Sequence, residues 1–328
     1  MRRWLLIYLV GGLIFGLAAA CTPGPTAPAQ PKPTYPEKPL TMIVPFPAGG
    51  ALDQSARSLV EAVKPYFSQP IAVVNRPGGA GTIGAAELAQ AKPDGYTIGM
   101  MAVGPVSIQP NLSQLPYKGP DDFRPIIKVV YIPVLFMVLE ESPWRTLPEL
   151  LDYARANPGK VRFGSPGVGT IPHIDIELLK ERAGVELTHV PFAGGAESVP
   201  ALLGGHVEAL SAHPSEAIGH IRAGKVRVLV TFEERRNPLL PNVPTARELG
   251  YDITLAPYYF VAAPKGVPDE VVKVLHDAFK KAIETDRFKE FARESGYVID
   301  YKGSSELLAE LQRDFAAYGE IIRRLGLR

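Results

Sequence analysis

Cysteine is almost missing from this chain: one residue, Cys21, in 328. That excludes an internal disulfide and any metal site built on several thiolates. An excess of either charge is missing too, with 35 Lys and Arg against 34 Asp and Glu, a formal net charge of +1. Nucleic-acid binding needs a clustered basic excess, which this balance does not supply, and no polybasic membrane patch is expected either. There is no G-x-x-x-x-G-K-[ST] phosphate loop and no H-E-x-x-H zinc motif. What remains is an ordinary globular composition, 46% apolar and 21% charged, long enough for two domains at roughly 100–200 residues each.

The exception is the N-terminus. Arg2 and Arg3 precede an uncharged apolar run over residues 4–20, the pattern of a signal peptide. The run ends in Leu17-Ala18-Ala19-Ala20-Cys21, which looks like the lipobox of a bacterial lipoprotein, with Cys21 as the acylated residue. Ala18 stands where that motif most often has Leu. Cleavage after residue 20 removes both arginines and shifts the formal charge from +1 to −1. Seven prolines then fall within residues 22–39, a composition that favours extended polyproline II and cannot bury a core. Residues 21–37 are therefore read as a stiff tether between a lipid anchor and a body that starts near Lys38.

From Lys38 onward, short β-rich runs alternate with amphipathic segments. Strands are expected over 40–45, 71–75, 97–101, 134–139, 161–164, 188–191, 207–210 and 226–231, with helices over 51–66, 82–91, 147–157, 172–183, 197–203 and 215–223. This alternation predicts βαβ units and mostly parallel sheets in an α/β fold. Near the C-terminus, Leu308, Leu311, Phe315, Tyr318, Ile322 and Leu325 recur at three- and four-residue intervals. They predict a helix docked on the first domain.

Catalytic constellations do not assemble. Gly79-Ala80-Gly81-Thr82-Ile83-Gly84 fits G-x-G-x-x-G but follows the second strand, and no acidic residue ends a strand about twenty residues on. It reads as a tight strand-to-helix turn. Gly164-Ser165-Pro166-Gly167 lacks the glycine that a nucleophile elbow needs two residues before serine. His173 and Glu177 share a helix face, but no third metal ligand is evident. Three Gly-rich turns do recur between a strand and a helix: 46–50, 165–170 and 192–196. Helix N-termini of this kind suit anions, and they lie where open α/β sheets bind ligands. Asp53, one turn from Arg57, is expected to stabilise its helix rather than meet a ligand.

At these loops the sequence resembles the substrate-binding receptors of tripartite tricarboxylate transporters, also called the Bug family of extracytoplasmic solute receptors. The resemblance rests on Ile43-Val44-Pro45-Phe46-Pro47-Ala48-Gly49-Gly50, Asn75-Arg76-Pro77-Gly78, Pro93-Asp94-Gly95-Tyr96-Thr97, His189-Val190-Pro191-Phe192 and Pro241-Asn242-Val243-Pro244-Thr245. It implies a type II periplasmic-binding-protein fold, with a ligand cleft between two α/β lobes. Lobe one would combine residues 38–132 with 257–328, and lobe two would be 133–256. Implied ligands are small carboxylates: di- or tricarboxylates, acidic amino acids or aromatic acids. The implied contacts are Phe46, Ala48, Gly49, Gly50, Ser165, Gly167, Thr170 and His173, to which Pro47, Val103, Gly194, His213 and Tyr258 are added as candidates. His213-Pro214 and Tyr258-Tyr259 depart from the family's usual residues. The implied protein is an extracytoplasmic, lipid-anchored monomer without cofactor or metal, handing its ligand to the membrane components of a transporter. A ligand sensor or an exported enzyme acting on a small acid are the alternatives.

Overall fold

The computed structural model describes residues 35–255 and 257–327. The signal segment, Cys21 and the tether as far as Thr34 lie outside the described residues. Tyr35, three residues before the expected Lys38, is packed against the body. The Tyr35 hydroxyl donates to the Gly95 carbonyl at 2.6 Å, and its ring meets Tyr96 edge-on at 5.2 Å. Among the described residues no helix is long and apolar enough to cross a membrane.

The first lobe opens with β1 (Leu40–Val44), α1 (Ala51–Val63), β2 (Ile71–Asn75), α2 (Thr82–Ala89) and β3 (Thr97–Ala102). A π-helical turn, Gly104–Ile108, leads into α3 (Gln109–Leu112) and then β4 (Phe123–Tyr131). The second lobe holds β5 (Leu135–Leu139), α4 (Leu147–Ala156), β6 (Arg162–Ser165), α5 (Ile171–Ala183) and β7 (Thr188–Pro191). It continues with α6 (Gly195–Leu203), β8 (Ala209–Ala212), α7 (Pro214–Arg222) and β9 (Val226–Thr231). The chain returns to the first lobe for β10 (Tyr258–Pro264), α8 (Asp269–Glu284), α9 (Asp286–Ser295), β11 (Val298–Gly303) and α10 (Ser304–Leu325).

The six-stranded sheet has the order β11-β4-β10-β3-β1-β2, and the five-stranded sheet β7-β6-β8-β5-β9. The expectation of mostly parallel sheets is not met. β1 is parallel to β2 and β3, and β6 to β7 and β8, but β10 runs antiparallel to β3 and β4, β11 to β4, and β5 to β8 and β9. The cause is the double crossing. A strand that leaves a lobe and the strand that returns to it pair antiparallel, as β4 does with β10. The two crossings lie side by side: the Ile132 N–H donates to the Pro257 carbonyl at 2.9 Å and the Phe232 N–H to the Val134 carbonyl at 3.1 Å.

Local pattern accounts for the elements that position the loops. In α1, Leu52, Ala56, Leu59, Val60 and Val63 recur at helical spacing and are all buried, each large side chain contributing about 1.5–3 kcal/mol. Asp53 does stabilise its helix: it accepts the Gly49 N–H at 2.9 Å and pairs with Arg57 at 2.9 Å. Burial alone would raise its pKa, but hydrogen bonds from Arg57, Gly49 and Asn75 outweigh that and hold it below the usual range. In the Gly79–Gly84 turn, a Cβ on Gly84 would lie 2.8 Å from Pro45 Cα, so glycine there permits close helix–strand packing.

Helix α10 packs on β4 and on the 104–112 segment. Its buried stripe is Leu307, Leu311, Tyr318 and Ile322. Leu308, one position round the helix from Leu307, is only half-buried. Arg324 near its end reaches Glu181 in the second lobe at 3.3 Å.

Candidate functional site

The loops after β1, β3, β6, β7 and β8 converge between the lobes around a small cavity of about 40 Å³. Phe46, Pro47, Gly50, Ala51, Leu52, Ala102, Gly104, Pro105, Pro257 and Tyr259 line it from the first lobe. Pro166, Thr170, Ile171, Pro172, Gly195, His213 and Glu216 line it from the second. The walls are largely apolar, with a few polar groups gathered where helices begin, as small-molecule sites usually are.

Of the residues singled out from the sequence, Phe46, Pro47, Gly50, Thr170 and His213 line this cavity. His213 is buried, its Nδ1 lies 3.1 Å from the Pro133 carbonyl at the crossing, and its ring meets Tyr259 at 6.3 Å. Ala48 and Gly49 belong to the same turn but are exposed beside it, and the Gly49 N–H is already given to Asp53. Gly194 precedes the glycine that does line the cavity, Gly195.

Ser165, Gly167 and His173 are buried and do not line the cavity. Ser165 is fully buried, with Oγ 2.7 Å from His189 Nε2. His173 stacks on His189 at 4.1 Å and accepts the Gly169 N–H at Nδ1, 3.1 Å away. Burial lowers the pKa of His189 to about 3, so this stack is held neutral at that ring. Ser165 and His189 have the spacing of a nucleophile and a base, but the hydroxyl faces the loop it supports. His173 Nε2 and Glu177 are 3.6 Å apart, and among the described residues no three His, Cys, Asp or Glu side chains converge as metal ligands.

Val103 and Tyr258 do not line the cavity. Val103 is wholly buried between Ala102 and Gly104, which do line the cavity. Strand β10 places alternate side chains on opposite faces, so Tyr259 faces the cleft and Tyr258 turns away. The Tyr258 hydroxyl donates to Asp314 on α10 at 2.6 Å, and its ring lies under the Lys128 ammonium at 4.2 Å.

The residue that sequence reasoning missed is Glu216. It is the third residue of α7, and its Oε2 accepts the His213 N–H at 3.1 Å, half of a capping box. Its Oε1 crosses the cleft and accepts the N–H of Ala51, the first residue of α1, at 3.1 Å. His213-Pro214-Ser215-Glu216 carries the cap signal in sequence, with Pro at the first helical position and Glu at the third. Nothing local could show the reach across to α1.

Comparison with known proteins places this architecture. Residues 55–327 match the model of the tripartite tricarboxylate transporter family receptor. The UPF0065 protein in the gbd 5′ region of Cupriavidus necator is 34% identical over 293 residues, covering 89% of each chain. Among solved structures, the periplasmic binding protein BugD superposes with a TM-score of 0.85 at 31% identity, over 90% of this chain and 99% of its own. Rpa4515 of R. palustris with adipate gives 0.85 at 27% identity, over 89% of this chain and 98% of its own. The architecture and these matches together show that the chain belongs to the tripartite tricarboxylate transporter family of receptors, the Bug-type solute-binding proteins.

Proposed function

We propose that this protein is an extracytoplasmic receptor that takes a small carboxylate into the cleft between its lobes and delivers it to the membrane components of a tripartite tricarboxylate-type transporter. The observation that carries the reading is the seat of the Glu216 carboxylate. Backbone N–H groups from both lobes, Ala51 and His213, already hold a carboxylate in the cavity. That is the anion geometry that helix N-termini provide. The adipate held by Rpa4515 supports the same ligand class. We take residues 38–132 with 257–328 as one lobe and 133–256 as the other, closing on the ligand about the 132–134 and 232–257 crossings. Phe46, Pro47, Gly50, Thr170 and His213 are the proposed contacts from the sequence, joined by Tyr259. Anchoring is assigned to Cys21, because acylation there gives the membrane affinity that a near-neutral body lacks.

Calorimetric titration with C4 to C6 mono- and dicarboxylates, adipate included, tests the ligand class. Binding of at least one acid is expected. In Gly50→Val that affinity should fall by about two orders of magnitude, the loss of one or two hydrogen bonds to a charged group. An unchanged affinity in Gly50→Val removes the α1 loop from the site. For the anchor, Cys21→Ser should move the protein from the detergent phase to the soluble fraction or leave it unprocessed. Unaltered partitioning contradicts the assignment.

A further inference from the structure

We propose that Glu216 sets the affinity and selectivity of the cleft by acting as a tethered carboxylate, which the ligand's own carboxylate displaces from the N-terminus of α1. This deepens the receptor reading above and rests on it. A glutamate at the third position of a helix commonly turns back to the N–H of the residue before the helix, and one oxygen suffices for that. Glu216 uses Oε2 for it. Its other oxygen leaves its own helix and binds the Ala51 N–H on the opposite lobe, 165 positions away. Capping does not account for that second bond.

Room has been made for the carboxylate as well. A Cβ on Gly195 would lie 1.8 Å from Glu216 Oε1 and 1.9 Å from Cδ. Gly195 does not have a positive φ, so its backbone does not call for glycine, and the carboxylate is what a Cβ there would meet. The group therefore sits among the first residues of α1, α6 and α7, where three helix dipoles present their positive ends. No Lys or Arg lines the cavity. An incoming anion finds backbone N–H groups and the hydroxyl and imidazole groups of Thr170, Tyr259 and His213, and Glu216 already holds the Ala51 N–H of α1.

Two carboxylates at one N–H in a largely apolar cleft repel each other. A ligand carboxylate must therefore drive Glu216 off, and its measured affinity is the difference between two competing anions. A neutral molecule of the same shape gains too little from Ala51 to displace a charge. Selectivity for acids over amides and alcohols then comes from what the ligand must remove as much as from what it meets.

The test uses the purified protein and the variants Glu216→Ala and Glu216→Gln, with folding checked by circular dichroism and thermal unfolding. In small-angle scattering without added acid, Glu216→Ala should have a larger radius of gyration than wild type, because one of the bonds between the lobes, beside Arg324–Glu181 and Gln109–Val168, is lost. In calorimetry with the C4 to C6 acids, the same variant should bind about ten- to a hundredfold more tightly, the equivalent of one charged hydrogen bond no longer competed for. Glu216→Gln, which keeps the acceptor and loses the charge, should fall between. Affinity that is unchanged or lower in both variants overturns the proposal. If neither wild type nor variants bind any acid, the carboxylate reading falls and displacement falls with it. The scattering then judges the bridge alone: equal radii overturn it, and a larger Glu216→Ala keeps it.

Discussion

Gly195 and Glu216 are matched in size, and the match makes a sharp test. Gly195→Ala places a methyl group where the carboxylate lies, so either the helix start shifts or Glu216 loses its bond to Ala51. Overpacking of this kind costs about 1–3 kcal/mol. In a Glu216→Ala background the same substitution should cost much less. Denaturant unfolding of the two single variants and the double variant gives the coupling, and additive effects would show that the two residues do not compete for space. Gly50 behaves differently. Its φ of −74° is open to any residue, and a Cβ there meets Pro47 O at 3.4 Å and Glu216 Oε1 at 3.7 Å, both ordinary contacts. Gly50→Ala should fold with wild-type stability in thermal unfolding. A large drop in Tm for Gly50→Ala would contradict this.

At the scale of elements, the βα alternation was legible where an apolar run was short and bounded by Gly or Pro, except that β10, between Pro257 and Pro264, was not read as a strand. The strands at 71–75, 188–191 and 226–231 match the structure end to end. Strand β4 was not legible, because Pro125 and Lys128 both argue against a central strand. Tertiary structure settles both. Pro125 pairs opposite Ala262 at an irregularity in the ladder, and the buried Lys128 ammonium binds Asp300 at 2.6 Å and Glu310 at 2.9 Å. The candidate-site loops were legible as Gly-rich turns, but which face of β10 turns to the cleft was not, since both of its faces are buried and aromatic. Helix α10, read correctly as docked, should depend on Leu311. Leu311→Ala should cost about 2–5 kcal/mol in denaturant unfolding, and a cost near zero would remove this residue from the core.

The crossing between lobes holds a titratable group. Glu233, just beyond β9, is buried, with Oε2 unpartnered. Burial raises its pKa to about 7 from 4.5, against a smaller opposing hydrogen bond from Asn237. Below its unfolded value the group is protonated in both states and its contribution is fully present. As pH rises toward about 7 the unfolded chain releases the proton while the folded chain keeps it, so stability falls. The Tm of wild type relative to Glu233→Gln should therefore drop by a few degrees between about pH 5 and about pH 8. A constant difference between the two would contradict this placement of the carboxyl.

At the scale of the molecule, two α/β lobes joined by paired crossings bring loops more than a hundred residues apart into one cavity, and the chemistry there is that of backbone donors in an apolar wall. Under the proposed function this accounts for a site without a cationic side chain: helix N-termini would supply the positive potential, and closure the low dielectric in which it counts. The most direct test of the account is native mass spectrometry of the purified protein with C4 to C6 carboxylic acids and their matched amides present together. The account predicts an adduct with at least one acid and none with its amide. An amide that binds as well as its acid, or a protein that retains no acid at all, would contradict it.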